Sequence, residues 1–587
     1  MNRRFRTESL YAATIGAAFL LGGAAAEGKA GPSAKPLTPK FSEAVAFDVS
    51  LPLHTLARQA PLRKIPYGKT QEEEIRPERG EPAKDTGYTG DGALQTNVGQ
   101  PRGAAPSIPG TTANFEGLSQ QDNFDTFGFR VNPPDPNGAV GPNHYVEMIN
   151  LVFGVYDKTG NLLLGPVDTG TLWSGFAVPD CTDASGDPVV LYDRLEDRWV
   201  LTQFSTRGPS YYNCVAISMT GDPTGAYFRY AFITDFNGDG FFPDYPKYGN
   251  WKKSYVLTSR DFGNLGEYGI SVYALEKAKM IAGDPSARMV HFFIDGNAPG
   301  NLALVGDGLL PADYDGTKQP KEDAPIPIVG TQDDGAGYGA TFDALNIWEL
   351  TIKWRSNPQA TLTLKTQLAT AAFDSIFPCG VVAGSRPPSS RDCLPEPGIT
   401  DGSRYIDILS YRQRPTFRLA YRNFGTYEAL VTNQSVEALP GVAGVRWYEI
   451  RRTGSTYTIY QQGTFVPNDG VHRWMGSIAQ DAKGDMALGY SVVNGTTVYP
   501  GIRYTGRLFG DTLGQMTLGE ETVISGSGVQ TTTNSRWGDY TDMNIDPSDD
   551  CTFWYVNEYY TAAGQATSPA GWQTRIGSFK FPGCVSR

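Results

Sequence analysis

The sequence predicts an all-β fold, a β-propeller of about seven four-stranded blades. Three observations point there. From Phe115 onward, short strand-like runs follow one another, separated by Gly, Asp, Asn and Pro. Glycine (68), proline (41) and a 12% share of aromatics in 587 residues make a turn-rich, strand-favouring mixture. Several of the runs recur at about 45–65 residues, a period expected of propeller blades.

The chain begins MNRRFRTESLYAATIGAAFLLGGAAAEGKA. Arg3, Arg4 and Arg6 form a positive leader, Tyr11–Leu21 a short apolar stretch, and Ala24-Ala25-Ala26 a set of small residues suited to cleavage. Residues 1–26 therefore read as an export signal, and Arg3-Arg4 also admits a twin-arginine route. Residues 27–114 carry scattered Pro, Gly and charge and read as a flexible extension. Residues 115–587 form the propeller. No later stretch has the roughly 18 apolar residues of a membrane helix. A net charge of -12 and a pI near 5.0 argue against attraction to nucleic acid or anionic lipid. The expectation is a secreted or periplasmic monomer without membrane insertion.

DRWVLTQFS, KKSYVLTSRDF, GDMALGYSVV and CTFWYVNEYY are alike, and each follows an Asp- or Gly-containing turn. Arg-Trp recurs at Arg198-Trp199, Arg473-Trp474 and Arg536-Trp537. Blade starts are expected near Ala139, Pro188, Asp244, Leu302, Tyr405, Arg473 and Arg536. LLPADYDGTKQPKEDAPIP reads as an insertion in the fourth blade, so six or eight blades also fit, and a pair of aligned β-sandwiches is the other architecture. Six cysteines suit an exported chain, and local spacing favours Cys181–Cys214, Cys379–Cys393 and Cys551–Cys584. The last bridge would tie an inner or middle strand of the final blade to its outermost strand. Metal ligation by these cysteines lacks a Cys-x-x-Cys or a nearby His.

PPDPNGAVGPNHYVEMIN, HRWMGSIAQDAKGDMALGYS and SRWGDYTDMNIDPSDDCTFWYVNEYY resemble segments of a widespread family of exported bacterial proteins of unsettled activity. The wider texture is similar to secreted propellers of the sialidase and BNR-repeat-like superfamily. The resemblance spans Phe115–Cys584 and implies a fold more than a function. An intact Ser-x-Asp-x-Gly-x-x-Trp box, the sialidase signature, is missing.

DFNGDG places oxygen ligands at Asp235, Asn237 and Asp239 with a turn at Gly240, the first half of a calcium loop, and Asp244 could add a carboxylate. A metal-free Asx turn fits the same residues. Asp135 and His144, in NPPDPNGAVGPNHY, are catalytic candidates at the central mouth, as is Asp539 near the start of the last blade. Asp187, Asp193, Asp244, Asp307 and Asp407 also fall near expected inner-strand starts, and a glycosidase needs two carboxyl groups. His472, Arg473 and Trp474, with Arg536 and Trp537, are the expected ligand-binding residues. Trp would stack on a sugar ring while Arg holds its hydroxyl or carboxyl groups. The arginines Arg412, Arg414 and Arg503 belong to the same basic minority. No G-x-S-x-G, H-E-x-x-H, P-loop or dinucleotide fingerprint occurs. The functional expectation is a carbohydrate-recognising propeller, a glycoside hydrolase or polysaccharide lyase acting at the axial mouth. The alternative is a non-catalytic scaffold that holds a glycan or another cell-surface polymer.

Overall fold

The computed structural model describes residues 37–60, 88, 90–95, 107–234, 240–263, 266–377, 392–408, 413–532 and 535–585. Among them are seven runs of four antiparallel strands. Their first strands are Asn137–Val140, Val189–Asp193, Phe242–Asn250, Leu310–Asp315, Thr416–Asn423, His472–Gln480 and Asp542–Ile545. Each first strand packs beside the next, and Asp542–Ile545 returns to Asn137–Val140, so the ring is closed. The fourth and fifth runs are also joined by parallel pairing of Ala312–Asp315 with Leu419–Arg422.

Closure uses a strand from the N-terminal side. The fourth strand of the last blade is Ala113–Ser119, antiparallel to Trp572–Lys580. This corrects the placing of the Cys551–Cys584 bridge, which joins the lead-in of that blade's second strand to the chain just after its third. Cys181–Cys214 forms as expected. Cys393 is disulfide-bonded, while Cys379 lies outside the described residues.

The two middle strands of blade three, Ser254–Phe262 and Tyr268–Glu276, are buried along their whole length, because the blade is covered on both faces by its neighbours. The largest apolar cluster accordingly runs across blades two to five. Turns are made locally by Asp side chains. In DPSDD, Asp549 Oδ1 accepts the N–H groups of Cys551 and Thr552.

Three expectations need correction. The stretch 27–114 is not uniformly loose: Lys40–Glu43 adds a fifth strand to blade three and Ala46–Val49 to blade two. Asp91 forms an ion pair with Arg446 of blade five at 2.8 Å with both side chains fully buried. Residues 1–36, which include the expected signal, lie outside the described residues. The expected starts at Leu302, Tyr405 and Arg536 fall short of the strands that begin at Leu310, Thr416 and Asp542. Asn301–Val305 is a short helix, and a two-stranded hairpin (Asp392–Leu394 with Ile406–Asp407) precedes blade five. LLPADYD is itself the first strand of blade four, so only the connection 316–325 is inserted there.

Candidate active site

All seven first strands begin at the same end of the ring, and five of them are kinked at or just before that end. Asp135, Asp187, Tyr245, Gln413 and Met475 have φ of 48°, 50°, 56°, 42° and 46° at the starts of blades one, two, three, five and six. Non-glycine residues rarely occupy that left-handed region, and such strain gathers at functional sites. Tyr245 and Met475 sit at bulges in their strands.

Four of these blades and the last converge on one polar cluster. Asp135 is 2% exposed. Its Oδ1 accepts the N–H of Asp539 at 2.6 Å and its Oδ2 accepts Asn150 Nδ2 at 2.8 Å. Asn150 Oδ1 in turn accepts the N–H of Asp187. The Asp539 carboxylate is held by Arg536 Nη2 at 2.7 Å and faces Arg414 Nη2 at 3.6 Å. The Arg414 guanidinium lies 3.9 Å over the Tyr245 ring. Lys247 Nζ lies between two rings, 3.4 Å from the centre of Tyr245 and 2.9 Å from that of Tyr540. The Tyr540 hydroxyl is 3.1 Å from Asp187 Oδ2. Glu558 receives the N–H of Gly538, and its second oxygen has no hydrogen-bond partner among the described residues.

The two aspartates sit in unlike surroundings. Burial, then the charge of Asp539, pushes the Asp135 carboxyl up to about 6, against the opposing pull of Arg536. Burial also holds Glu558 well above the usual carboxylate range. It pushes Lys247 well below the usual ammonium range, with Asp187 and Asp539 opposing. A carboxyl that holds its proton more tightly than usual, beside a carboxylate paired with arginine, is an arrangement that acid–base chemistry on a glycosidic bond uses.

Sequence-predicted residues divide into those the fold brings here and those it does not. Asp135, Asp539 and Arg536 meet at this end of the axis. His144 does not. The hairpin pairs Asn137 with Met148 and Val140 with Tyr145, so His144 lies at the opposite end of the strand from Asp135. Its charged neighbours there are Asp222, Lys158 and Asp157. His472 is buried, its Nδ1 accepts the N–H of Ala443, and burial followed by Arg473 pushes it down to about 4. Arg473 bonds Asp469 and Glu520 at 2.8 and 2.7 Å, away from the cluster. Trp474 and Trp537 are both 0% exposed, with ring centres 5.0 Å apart. They pack blade six on blade seven and offer no open face to a sugar. Arg503 bonds Glu520.

Asp235, Asn237 and Asp239, like Arg412, lie outside the described residues. Asp244 Oδ1 accepts the N–H of Tyr245. Asp333, Asp334 and Asp343 bring their carboxylates within 4.8 Å of one another. The oxygens of Asp333 and Asp343 are taken by the N–H groups of Gly335, Ser375, Asp334 and Phe373.

Sequence reasoning missed Lys247, Tyr245, Tyr540, Asn150 and Glu558. The one local signal was DYPKYGN, a lysine set among aromatics inside a strand.

No family model matches the chain, and no curated protein matches it. Among solved structures the chain is similar to the GH93 α-L-arabinofuranosidase of Fusarium graminearum in complex with arabinobiose. Identity is 11% over 65% of this chain and 89% of that chain, with a TM-score of 0.32. It is also similar to an endo-arabinase from Bacteroides thetaiotaomicron (14% identity, 56% and 94% coverage, TM-score 0.25). A third is a protein of unknown function from Dyadobacter fermentans (11%, 58% and 94%, TM-score 0.21). Likeness at these scores carries no argument about the site, which rests on its own residues.

Proposed function

We propose that the end of the axis where the first strands begin binds a carbohydrate, and that the protein is a glycoside hydrolase with Asp135 and Asp539 as its paired carboxyl groups. One observation carries the reading: a carboxyl with a pKa near 6 touches the backbone of a carboxylate clamped by Arg536 and Arg414. Asp135 is suited to give a proton to a leaving oxygen, and Asp539 to serve as nucleophile or base. Lys247, Tyr245 and Tyr540 are buried behind the pair and hold it in place.

A non-catalytic glycan-holding propeller is the second reading. It is favoured by the low exposure of the pair, 2% for Asp135 and 13% for the Asp539 side chain. Turnover of a neutral and acidic polysaccharide panel separates the two. The hydrolase reading expects Asp135→Asn and Asp539→Asn each to lower turnover by about 100-fold or more at unchanged melting temperature. A parent protein that binds a polysaccharide but releases no sugar from any leaves the scaffold.

In this reading the protein works outside the cytoplasmic membrane as a monomer. Its disulfides support that placement. Among the described residues no helix is long and apolar enough to cross a membrane. Calcium at Asp235, Asn237 and Asp239 remains part of the proposal. Millimolar calcium should then raise the melting temperature, and Asp239→Ala should abolish the rise.

A further inference from the structure

First strands that begin near Asp135 and Asp539 must finish on the opposite face of the ring, which is therefore made of hairpin turns. Two clefts lie there, one on each side of the connection 316–325 of blade four, and Asp323 lines both. The first is about 530 Å³ and is lined by Lys252, Lys253, Lys277, Lys353, Trp354 and Arg355. The second is about 450 Å³ and is balanced in charge, with Lys321, Lys365 and Arg452 facing Asp323, Glu349 and Glu428 beside Tyr427.

We infer that this opposite face binds a polyanionic glycan, a sugar chain bearing carboxylates or sulfate esters. The inference does not depend on the axial reading. Five cations and three carboxylates, Glu196, Glu276 and Asp323, line a single cleft of a chain whose net charge is -12, so cations outnumber acids there while acids outnumber cations in the whole chain. The cations differ in how they are committed. Lys277 is bound to buried Asp193 at 2.5 Å, and Lys252 and Lys253 are tied to Glu322 at 2.6 and 2.7 Å. Lys353 and Arg355 are exposed, and neither side chain has an ion-pair partner among the described residues. They flank Trp354, whose indole is fixed by Ser254, by an edge contact to Phe41 and by Arg288 above it.

Aromatic surface continues beyond the second cleft. The Arg451 guanidinium lies 3.9 Å over Tyr427 and 3.2 Å over Tyr460, a residue that is 39% exposed. A rigid aromatic beside separated cations suits sugar rings with intermittent negative charge. Glu196, Glu276 and Asp323 in the lining oppose the denser charge of a nucleic-acid backbone.

The test is binding of the purified protein, at low ionic strength, to polygalacturonate, dextran sulfate, neutral dextran and a single-stranded DNA 20-mer. The inference expects binding to polygalacturonate or dextran sulfate, and the stronger of the two tells carboxylate from sulfate. It expects little binding to dextran or DNA. Reversing the two free cations, in a Lys353→Glu/Arg355→Glu variant, should weaken the anionic glycan about tenfold or more, and added salt should weaken the parent likewise. Both positions are exposed, so an unchanged melting temperature is expected. Weakening of the anionic glycan by Asp539→Asn would place it at the axial site and overturn the assignment. No binding to either anionic glycan, undiminished binding by the double variant, or equal binding to DNA would each overturn the assignment.

Discussion

Arg473-Trp474 and Arg536-Trp537 are the same dipeptide in successive blades, yet they do not occupy the same place. The two indoles meet, both fully buried, at an interplanar angle of 57°. The arginines diverge. Arg473 lies within its first strand, opposite Val492, and its side chain reaches Glu520 at the edge of the blade. Arg536 lies ahead of a first strand that begins only at Asp542, and its side chain reaches Asp539 and Asp407 at the axis. A shift of register between two like motifs separates a blade-edge ion pair from a residue of the candidate site. Repetition in sequence therefore does not establish equivalence in space.

The largest effect tests the shared half of the comparison. Trp474→Ala and Trp537→Ala should each cost about 3–5 kcal/mol in denaturant unfolding, because each leaves a large cavity between blades six and seven. Trp537 also loses the bond from its Nε1 to Ser491 Oγ at 3.2 Å. The double variant should cost less than the sum, since each single change already opens the same contact. A cost under about 1 kcal/mol for either would mean that its indole is not core.

Much of the architecture was legible because it is local. Alternation marked the strands, and Asp-rich stretches such as DPSDD marked the turns through bonds to their own neighbouring amides. What a strand faces is not local. Trp474 and Trp537 look like ligand-stacking residues until blade packing buries them. His144 looks close to Asp135 in sequence, but one short hairpin carries it to the other face. Lys247 gained its place only when Tyr540, from the last blade, closed over it. Glu558 reads as an ordinary strand residue until the N–H of Gly538 is brought to it. Blade starts were legible where the connection was short and lost where a helix or hairpin intervened, before Leu310 and Thr416.

The two blades also differ in closure. Blade six takes all four strands from consecutive chain, whereas blade seven borrows Ala113–Ser119 and carries Cys551–Cys584. Cys551→Ser/Cys584→Ser should cost about 2–4 kcal/mol by freeing a loop of comparable length in the unfolded chain. Hydrogen exchange should then rise first in Thr552–Tyr560 and Trp572–Lys580. Equal exchange in blades six and seven would show that the bridge does not set their difference.

A smaller effect separates the arginines. Arg473 is fully buried and bound to two partly exposed carboxylates, Asp469 at 41% and Glu520 at 16%. Arg473→Gln should cost about 1–3 kcal/mol, less than a pair buried on both sides. Sugar release should be unchanged if the axial site is separate.

Arg536→Gln is the finest test: the side chains of Arg536 and Asp539 are 12% and 13% exposed, and Arg414 stays 3.6 Å from Asp539 to share its charge. Its signature is in pH dependence. Asp135 has a folded pKa near 6, above the ordinary unfolded value of about 3.9. Between those limits the native state holds the proton that the unfolded state has lost. The Asp135 contribution to stability therefore falls as pH rises from about 4 to about 6 and is level beyond. Arg536 is the charge that most lowers the Asp135 pKa. Without it that pKa moves further up, and the fall continues above pH 6. The parent and Arg536→Gln curves of stability against pH should thus separate progressively above pH 6. Arg473→Gln should run parallel to the parent above about pH 6.5, where neither His472 nor Asp469 changes charge. Combining Arg536→Gln with Asp135→Asn should remove the added separation. If it persists, the proton belongs to another group, and the register shift between the two Arg-Trp pairs has no electrostatic consequence at Asp135.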